Sequence, residues 1–352
     1  MENNYKTILN DSSYWGMTLE ERLHYYRIPA FSLVLINDGK IDYTYCYGYK
    51  DRNKKDPVTS ETLFQAGSIS KPVFATAVMS LVQKGEIDLD KDIKEYTDVS
   101  FYKSFDNQIH TVTLRQLLSH TAGFNLHGFA GYQYGQIVPS LEQILMGIEP
   151  ANNLPLFLKT EPGKEWKYSG GGYLLAQKVV CDVTHKDFES IVRDEILQPF
   201  GMTHSTYHQP LDEEKRDDIA YGYDVYNLQL PNGFNTMPEL AAAGLWTTPS
   251  DLAAFGIEMM KAYHGNSNLI TQDTMKMMLT KIIPNIPTGL GFFVPDDNPK
   301  GYFDHSGANI GYHTIMCFQA EGNKGYVAMM NADIGAGFYH ELDSIISKVM
   351  DI

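Results

Sequence analysis

The chain has 352 residues, of which 43% are apolar. It has no apolar run of about 18 residues or more that could cross a membrane, so a globular protein large enough for more than one domain is predicted. The formal net charge of −15, from 43 acidic and 28 basic residues, argues against nucleic acid or an anionic membrane as a partner. No charged segment followed by an apolar one opens the chain, so we expect a cytoplasmic location and leave export of a trimmed precursor open.

Strands are predicted towards both ends of the chain. Two β-rich runs flank Asn37-Asp38-Gly39, and an Asp-Gly pair between such runs is a strong signal of a β-hairpin. The predicted strands are residues 30–36, 40–49, 289–294, 311–319 and 325–332, and a last helix is predicted at 340–350.

The middle of the chain has helical spacing of its apolar residues. One predicted helix begins at Ser68, and the others cover residues 113–120, 140–147, 171–185, 187–197 and 248–263. This order predicts an α/β fold, in which an antiparallel sheet flanked by helices forms a sandwich from residues 1–75 and 240–352. Residues 76–239 are expected to form an inserted, mainly helical domain.

The stretch AGSISKPVFATAV (Ala66 to Val78) places Lys71 at the start of an apolar helical run, three residues after Ser68. A cation at that end of a helix opposes the macrodipole, so an ordinary lysine gains nothing there. Residues three apart share one helix face, and burial favours an uncharged amine that could take the serine proton and make Ser68 a nucleophile. A capping serine beside a solvent-exposed lysine is the competing interpretation.

Two further segments contain candidate residues. In EPGKEWKYSGGGY (Glu161 to Tyr173), three consecutive glycines place Tyr168 on a loop before a helix, where it could relay protons as a general base. In FDHSGANIGYHT (Phe303 to Thr314), His305-Ser306-Gly307 lies where a strand should start, and backbone N–H groups at such an edge can bind an oxyanion.

Taken in order, these three features resemble those of the serine β-lactamase and penicillin-binding protein superfamily. The likeness is strongest to its class C branch, which includes D-peptidases, carboxylesterases and acyltransferases. It extends over nearly the whole chain, because three more segments are similar to segments of that family: LLSHTAGF (117–124), PFGMTHST (199–206) and AAAGLWTTPSDLAAF (241–255).

The resemblance implies a role for individual residues. Ser68 would be the acylated nucleophile, Lys71 its activating partner, and Tyr168 the general base and later the acid. His305 would stand at the third motif with Gly307, and the backbone N–H groups of Ser68 and Ala308 would form the oxyanion hole. The resemblance also implies an active site between the sandwich and the helical domain, with no metal and no organic cofactor.

Two positions depart from the family pattern. Gly170 stands where most relatives carry an asparagine that binds the substrate amide, so recognition of acylamino substrates should be weaker. His305 replaces a lysine that binds the substrate carboxylate, and a histidine is largely neutral at pH 7. The enzyme is therefore expected not to depend on a free substrate carboxylate.

The sequence predicts a serine hydrolase that cleaves small ester, amide or D-amino-acid peptide substrates through an acyl-enzyme on Ser68. Its partner would be a small molecule or a short peptide. Two alternatives remain open: a true β-lactamase or penicillin-binding DD-peptidase, and a binding or regulatory descendant of the fold without turnover. Oligomeric state and the choice between hydrolysis and acyl transfer are not predicted.

Overall fold

A computed structural model describes Leu9, residues 16–350 and Ile352. Its helices are α1 (Leu19–Tyr25), α2 (Ser70–Gln83), α3 (Leu114–Leu118), α4 (Leu141–Met146), α5 (Gly170–Thr184), α6 (Phe188–Val192), α7 (Leu240–Ala243), α8 (Pro249–Tyr263), α9 (Gln272–Leu279) and α10 (Ala336–Met350). Its strands are β1 (Ala30–Asn37), β2 (Lys40–Asp51), β3 (Asp56–Pro57), β4 (Phe64–Gln65), β5 (Lys103–Ser104), β6 (Phe157–Leu158), β7 (Trp246–Thr247), β8 (Tyr302–Asn309), β9 (Tyr312–Gln319) and β10 (Lys324–Met330).

One six-stranded sheet takes its strands from both ends of the chain, in the order β3-β2-β1-β10-β9-β8. Strand β1 lies near the middle and pairs antiparallel with β2 and with β10. The predicted hairpin is confirmed, since β1 and β2 pair from Ala30–Gly48 to Asn37–Lys40. Strand β8 lies at one edge of the sheet, where it pairs with β9.

The middle of the sheet is covered on both faces, since successive side chains of a strand point to opposite faces and β1 is buried along nearly its whole length. On one face Val34 and Val327 pack in the larger core, towards α8. On the other face Leu33 and Ala328 pack with Leu23 of α1 and with α10. This is the predicted antiparallel sheet flanked by helices, whereas the division into residues 1–75 with 240–352 and residues 76–239 stays a prediction.

None of the helices in the described residues combines the length and the apolar character that crossing a membrane requires. The longest are α5, α8 and α10, with 15 residues each.

The predicted strand at residues 289–294 is wrong. This segment is a loop that passes tightly against other backbone, since a side-chain carbon on Gly289 would lie 2.0 Å from the Met278 carbonyl oxygen. Gly291 has a φ of +87°, which ends any extended run. Only an isolated bridge joins the loop to β8, where the Phe293 N–H donates to the Asp304 carbonyl at 2.9 Å.

Three predicted helix limits also need correction. Ser68 lies in a 3-10 turn, Gly67–Ile69, and the α-helix begins at Ser70. The predicted helix at 187–197 divides, because α6 is followed by a π-helical turn in which the Gln198 N–H donates to the Arg193 carbonyl. Gly170 is the first residue of α5 rather than part of the loop before it, because the Ser169 hydroxyl caps that helix.

Candidate active site

Ser68 and Lys71 lie side by side at the start of α2. Ser68 is partly exposed, whereas Lys71 is only 2% exposed. The Lys71 ammonium donates a hydrogen bond to Ser68 Oγ at 3.0 Å and another to the Ala242 carbonyl of α7 at 2.7 Å. The spacing of three residues therefore brings the two side chains into direct contact, as helical geometry requires.

Lys71 has no acidic neighbour that neutralises it, since no carboxylate of the described residues forms an ion pair with it. Its nearby groups are instead aromatic: Nζ lies 4.9 Å from the ring centre of Tyr168 and 5.8 Å from that of Tyr173. A buried cation without a carboxylate raises the energy of the folded state, so something other than stability must favour this lysine.

Strand β8 reaches the Ser68 turn because Gly307 has no side chain. A carbon added to Gly307 would lie 1.9 Å from the Ala66 carbonyl oxygen and 3.0 Å from the Ser68 nitrogen. A carbon added to Gly67 would lie 2.6 Å from the Ala308 nitrogen. The backbone of Ala308 is therefore held beside that of Ser68 at the edge of the sheet.

The Tyr168 ring is stacked on a neutral histidine. The ring centres of Tyr168 and His120 are 4.2 Å apart with planes 29° from parallel. His120 is buried, and its Nδ1 accepts a hydrogen bond from the Ser169 N–H at 3.1 Å. Burial, and next the charge of Lys71, keep the pKa of His120 well below its usual value of 6.5. His120 therefore supports the phenol without competing for its proton.

His305 is held as a neutral side chain on β8, within the strand rather than at its start. It is 3% exposed, and its Nδ1–H donates to the Ser306 carbonyl at 2.6 Å. The Phe293 ring stacks on it with centres 4.9 Å apart. Burial, and next the charge of Lys71, lower the pKa of His305 to about 3, so it carries no charge at pH 7.

These groups surround one cavity of about 540 Å³. Six of the seven site residues predicted from the sequence line it: Ser68, Lys71, Tyr168, His305, Gly307 and Ala308. The seventh, Gly170, does not, because a carbon added there would lie 2.9 Å from the Phe129 ring. The ring of Phe129 thus takes the space into which a side chain at position 170 would project.

Several lining residues were not found from the sequence. They are His127, Phe129, Phe293, Asn309, His313 and Tyr339. Asn309 is fixed, since its Nδ2 donates to Gln65 Oε1 at 2.8 Å and to the Ala243 carbonyl at 3.1 Å. In the sequence, Gly170 and Gly171 indicated that another segment passes close to the start of α5. They did not indicate which residues belong to that segment.

The described residues contain no group of three or more His, Cys, Asp or Glu side chains that could hold a metal ion. The cavity is instead lined by two serines, one lysine, phenols and imidazoles, among other residues. Such groups suit nucleophilic and general acid–base chemistry.

The sequence model of the family described as Beta-lactamase matches residues 17–348. The chain belongs to the beta-lactamase family. Among curated proteins with a similar sequence is "Protein flp" of Staphylococcus aureus (strain N315), which is 24% identical over 324 residues. The match covers 89% of this chain and 61% of that protein, so the chain spans about three fifths of the length of the relative.

Solved structures with the beta-lactamase family fold agree with this membership. The octameric penicillin-binding protein homologue from Pyrococcus abyssi gives a TM-score of 0.78 at 22% identity, over 95% of this chain and 76% of that one. The D-amino acid amidase from Ochrobactrum anthropi SV3 gives 0.74 at 22% identity, over 99% and 98%. The predicted superfamily and the predicted fold class are both confirmed.

Proposed function

We propose that the protein is a serine hydrolase that forms an acyl-enzyme on Ser68 and cleaves small ester, amide or D-amino-acid peptide substrates. The observation that carries this proposal is the 3.0 Å hydrogen bond from the buried Lys71 ammonium to Ser68 Oγ, at the floor of an open cavity. A binding protein gains nothing from an un-neutralised buried lysine, whereas a nucleophilic serine needs a neighbour that handles its proton.

In the proposed reaction, Ser68 Oγ attacks the substrate carbonyl while its proton passes to the Tyr168 oxygen, which enters this step as the phenolate. Lys71 stays protonated: it orients the Ser68 hydroxyl, and its positive charge stabilises the phenolate until the proton arrives. Tyr168 then returns the proton to the leaving group, which departs as an alcohol or amine. Water attacks the acyl-enzyme by the reverse sequence and frees Ser68.

The negative charge of the tetrahedral intermediate would be bound by backbone N–H groups. The close approach of β8 to the Ser68 turn supports this, since Gly307 and Gly67 allow the Ser68 and Ala308 nitrogens to lie near one another. Donors fixed before the reaction stabilise developing charge without reorganisation, and the loss of one such donor typically costs about 100-fold in rate.

The neutral state of His305 supports substrates without a free carboxylate. With its pKa near 3, His305 offers no positive charge at pH 7 to a carboxylate bound beside β8. Neutral esters and amides are therefore favoured over penicillins and D-Ala-D-Ala peptides, which carry a free carboxylate. The match to a D-amino acid amidase fold supports including amides of D-amino acids among the substrates.

Intact-mass spectrometry tests the proposal. Wild type and Ser68→Ala are each exposed to a fluorophosphonate, a p-nitrophenyl ester and benzylpenicillin. We expect a fluorophosphonate adduct on wild type that is absent from the variant, and faster acylation by the ester than by benzylpenicillin.

Each other outcome points to a different function. Rapid acylation by benzylpenicillin with a slow ester reaction would favour the β-lactamase or DD-peptidase alternative. An unlabelled wild-type protein with an intact fold would contradict the hydrolase and favour the binding or regulatory descendant.

A further inference from the structure

One side of the cavity is closed by the segment Leu126–Phe129, named here the 126–129 strap. Three hydrogen bonds fix it to the start of α5. The Gly170 N–H donates to the His127 carbonyl at 3.0 Å, and the Gly171 N–H donates to the Leu126 carbonyl at 3.1 Å. The Ser169 hydroxyl donates to the Leu126 carbonyl at 3.0 Å.

The strap can lie this close only because position 170 is glycine. A carbon added to Gly170 would lie 2.9 Å from Cε2 of Phe129 and 3.0 Å from the His127 carbonyl oxygen. The third glycine of the same run differs, since a carbon on Gly172 would meet nothing closer than 3.6 Å. An alanine is therefore tolerated at 172, whereas at 170 it would require the Phe129 ring and the His127 carbonyl to shift.

The strap presents the Phe129 ring to the cavity, beside His127 and Gly128. Phe129 is half-buried and lines the same cavity as Ser68. The strap carbonyls of Leu126 and His127 already accept hydrogen bonds from the start of α5. A substrate amide placed on the face of the Phe129 ring would lose its hydrogen bonds to water without equal replacement.

We propose that Phe129 is a specificity-determining residue, which makes the enzyme prefer acyl groups with a flat apolar substituent over acyl groups with an acylamino substituent at the same place. This inference rests on the proposed function, since it concerns which acyl groups reach Ser68. A substrate ring packed on Phe129 is stabilised by burial and by aromatic contact. A substrate with an unpartnered amide at the same place should have a kcat/KM lower by about tenfold or more.

Two methyl esters of similar length test this. Methyl 4-phenylbutanoate and methyl hippurate differ mainly in whether two methylenes or an amide join the phenyl ring to the rest of the acyl group. Hydrolysis is followed by chromatography for wild type and for the Ser68→Ala, Phe129→Ala, Gly170→Ala and Gly172→Ala variants. Fluorophosphonate labelling of Ser68 and thermal melting check that each variant is folded and competent.

We expect wild type to prefer the phenylbutanoate by about tenfold or more in kcat/KM. Phe129→Ala should lower kcat/KM for the phenylbutanoate by about tenfold and for the hippurate by less than about threefold, so that the preference falls towards one. Gly170→Ala should shift the preference in the same direction, because it displaces Phe129. Gly172→Ala should keep the wild-type preference.

Other results distinguish a wrong role for Phe129 from a wrong proposed function. Equal kcat/KM values for both esters with wild type, or one common factor of loss for both in Phe129→Ala, would overturn the role of Phe129. Labelling of Ser68 by the fluorophosphonate without hydrolysis of either ester would also overturn it. Failure of the fluorophosphonate to label folded wild type would instead contradict the proposed function.

Discussion

The two sides of the cavity are built in different ways. The side with Ser68 and Lys71 is made by four consecutive residues, where the 3-10 turn Gly67–Ile69 runs into α2. The opposite surfaces come from segments far apart in the sequence, with Phe129 on a strap fixed to α5 and Phe293 on a loop beside β8. The first side follows from helical spacing alone, whereas the second depends on which backbones approach each other.

We therefore expect the α2 side to control the reaction rate and Phe129 to control the preference between substrates. Substitutions on the α2 side should slow the reaction of every substrate, because every substrate must acylate the same serine. Substitutions of Phe129 should change the ratio between substrates. Substitutions on each side of the cavity therefore test whether catalytic rate and substrate preference are controlled separately.

The largest effect is expected for Lys71→Met, which removes the amine but keeps much of the side-chain volume. We expect kcat/KM to fall by about 10⁴-fold or more for every ester. The free energy of unfolding should rise, by about 1–4 kcal/mol, because a buried charge without a carboxylate partner is replaced by an apolar group. Ester hydrolysis and urea unfolding at pH 7 measure the two quantities.

A fall in kcat/KM together with a rise in the free energy of unfolding distinguishes a catalytic lysine from a structural one. Lys84, at the other end of the helix, is exposed and pairs with Glu195, so Lys84→Met should leave kcat/KM unchanged. A Lys71→Met protein that is both less stable and nearly as active as wild type would contradict the proposed role.

A smaller loss is expected for Tyr168→Phe. Removing the hydroxyl should lower kcat/KM by about 10³-fold for every ester, because general acid–base catalysis is lost while the ring can still stack on His120. The matched control is Tyr173→Phe, since the Tyr173 ring centre also lies near Lys71 Nζ, at 5.8 Å, but its hydroxyl donates to the Leu118 carbonyl at 2.8 Å. That control should cost stability, about 1 kcal/mol, rather than rate. Equal rate losses in both variants would argue against a special role for Tyr168.

The sequence predicted the parts of the fold whose signals are local. The Asp38-Gly39 turn marked the β1–β2 hairpin, and the helical spacing of apolar residues at 140–147 marked α4. It failed at residues 289–294, where apolar residues resemble a strand but the glycines serve a close passage of backbone.

The candidate site was likewise predictable from the sequence only where the signal is local. Ser68 and Lys71 are three residues apart, so their contact was predictable from helical geometry. The absence of a side chain at Gly170 was visible in the sequence, but its cause was not, because Phe129 reaches it only through the tertiary fold. Loop positions of this kind depend on packing between distant segments, which no local pattern encodes.

The α2 side also depends on α7, whose Ala242 carbonyl holds Lys71. Glu239, which precedes α7, is fully buried, and its carboxyl oxygens have no hydrogen-bond partner in the described residues. Burial raises its pKa from 4.5 to about 8. The folded state therefore keeps the proton up to about pH 8, whereas the unfolded chain releases it near pH 4.5. This difference makes the free energy of unfolding fall as the pH rises between those values.

We therefore expect Glu239→Gln to flatten the pH dependence of stability. Relative to the variant, wild type should lose about 1.4 kcal/mol per pH unit between about pH 5 and 8, or about 3 kcal/mol by pH 7. Urea unfolding at four pH values measures this slope. Glu161→Gln, at an exposed carboxylate, should keep the wild-type slope. Parallel curves for wild type and Glu239→Gln would show that Glu239 is ionised in the fold.

The smallest effect is expected on the β8 side, for discrimination between charged and neutral substrates. Monomethyl glutarate carries a free carboxylate that dimethyl glutarate lacks. The ratio of their kcat/KM values should change by less than about twofold from pH 8 to pH 5.5, because His305, with a pKa of about 3, stays neutral over that range. An ordinary histidine would become largely cationic by pH 5.5 and would raise the ratio several-fold. A rise in wild type that disappears in His305→Gln would contradict the neutral His305, whereas a rise that persists in that variant must come from another group.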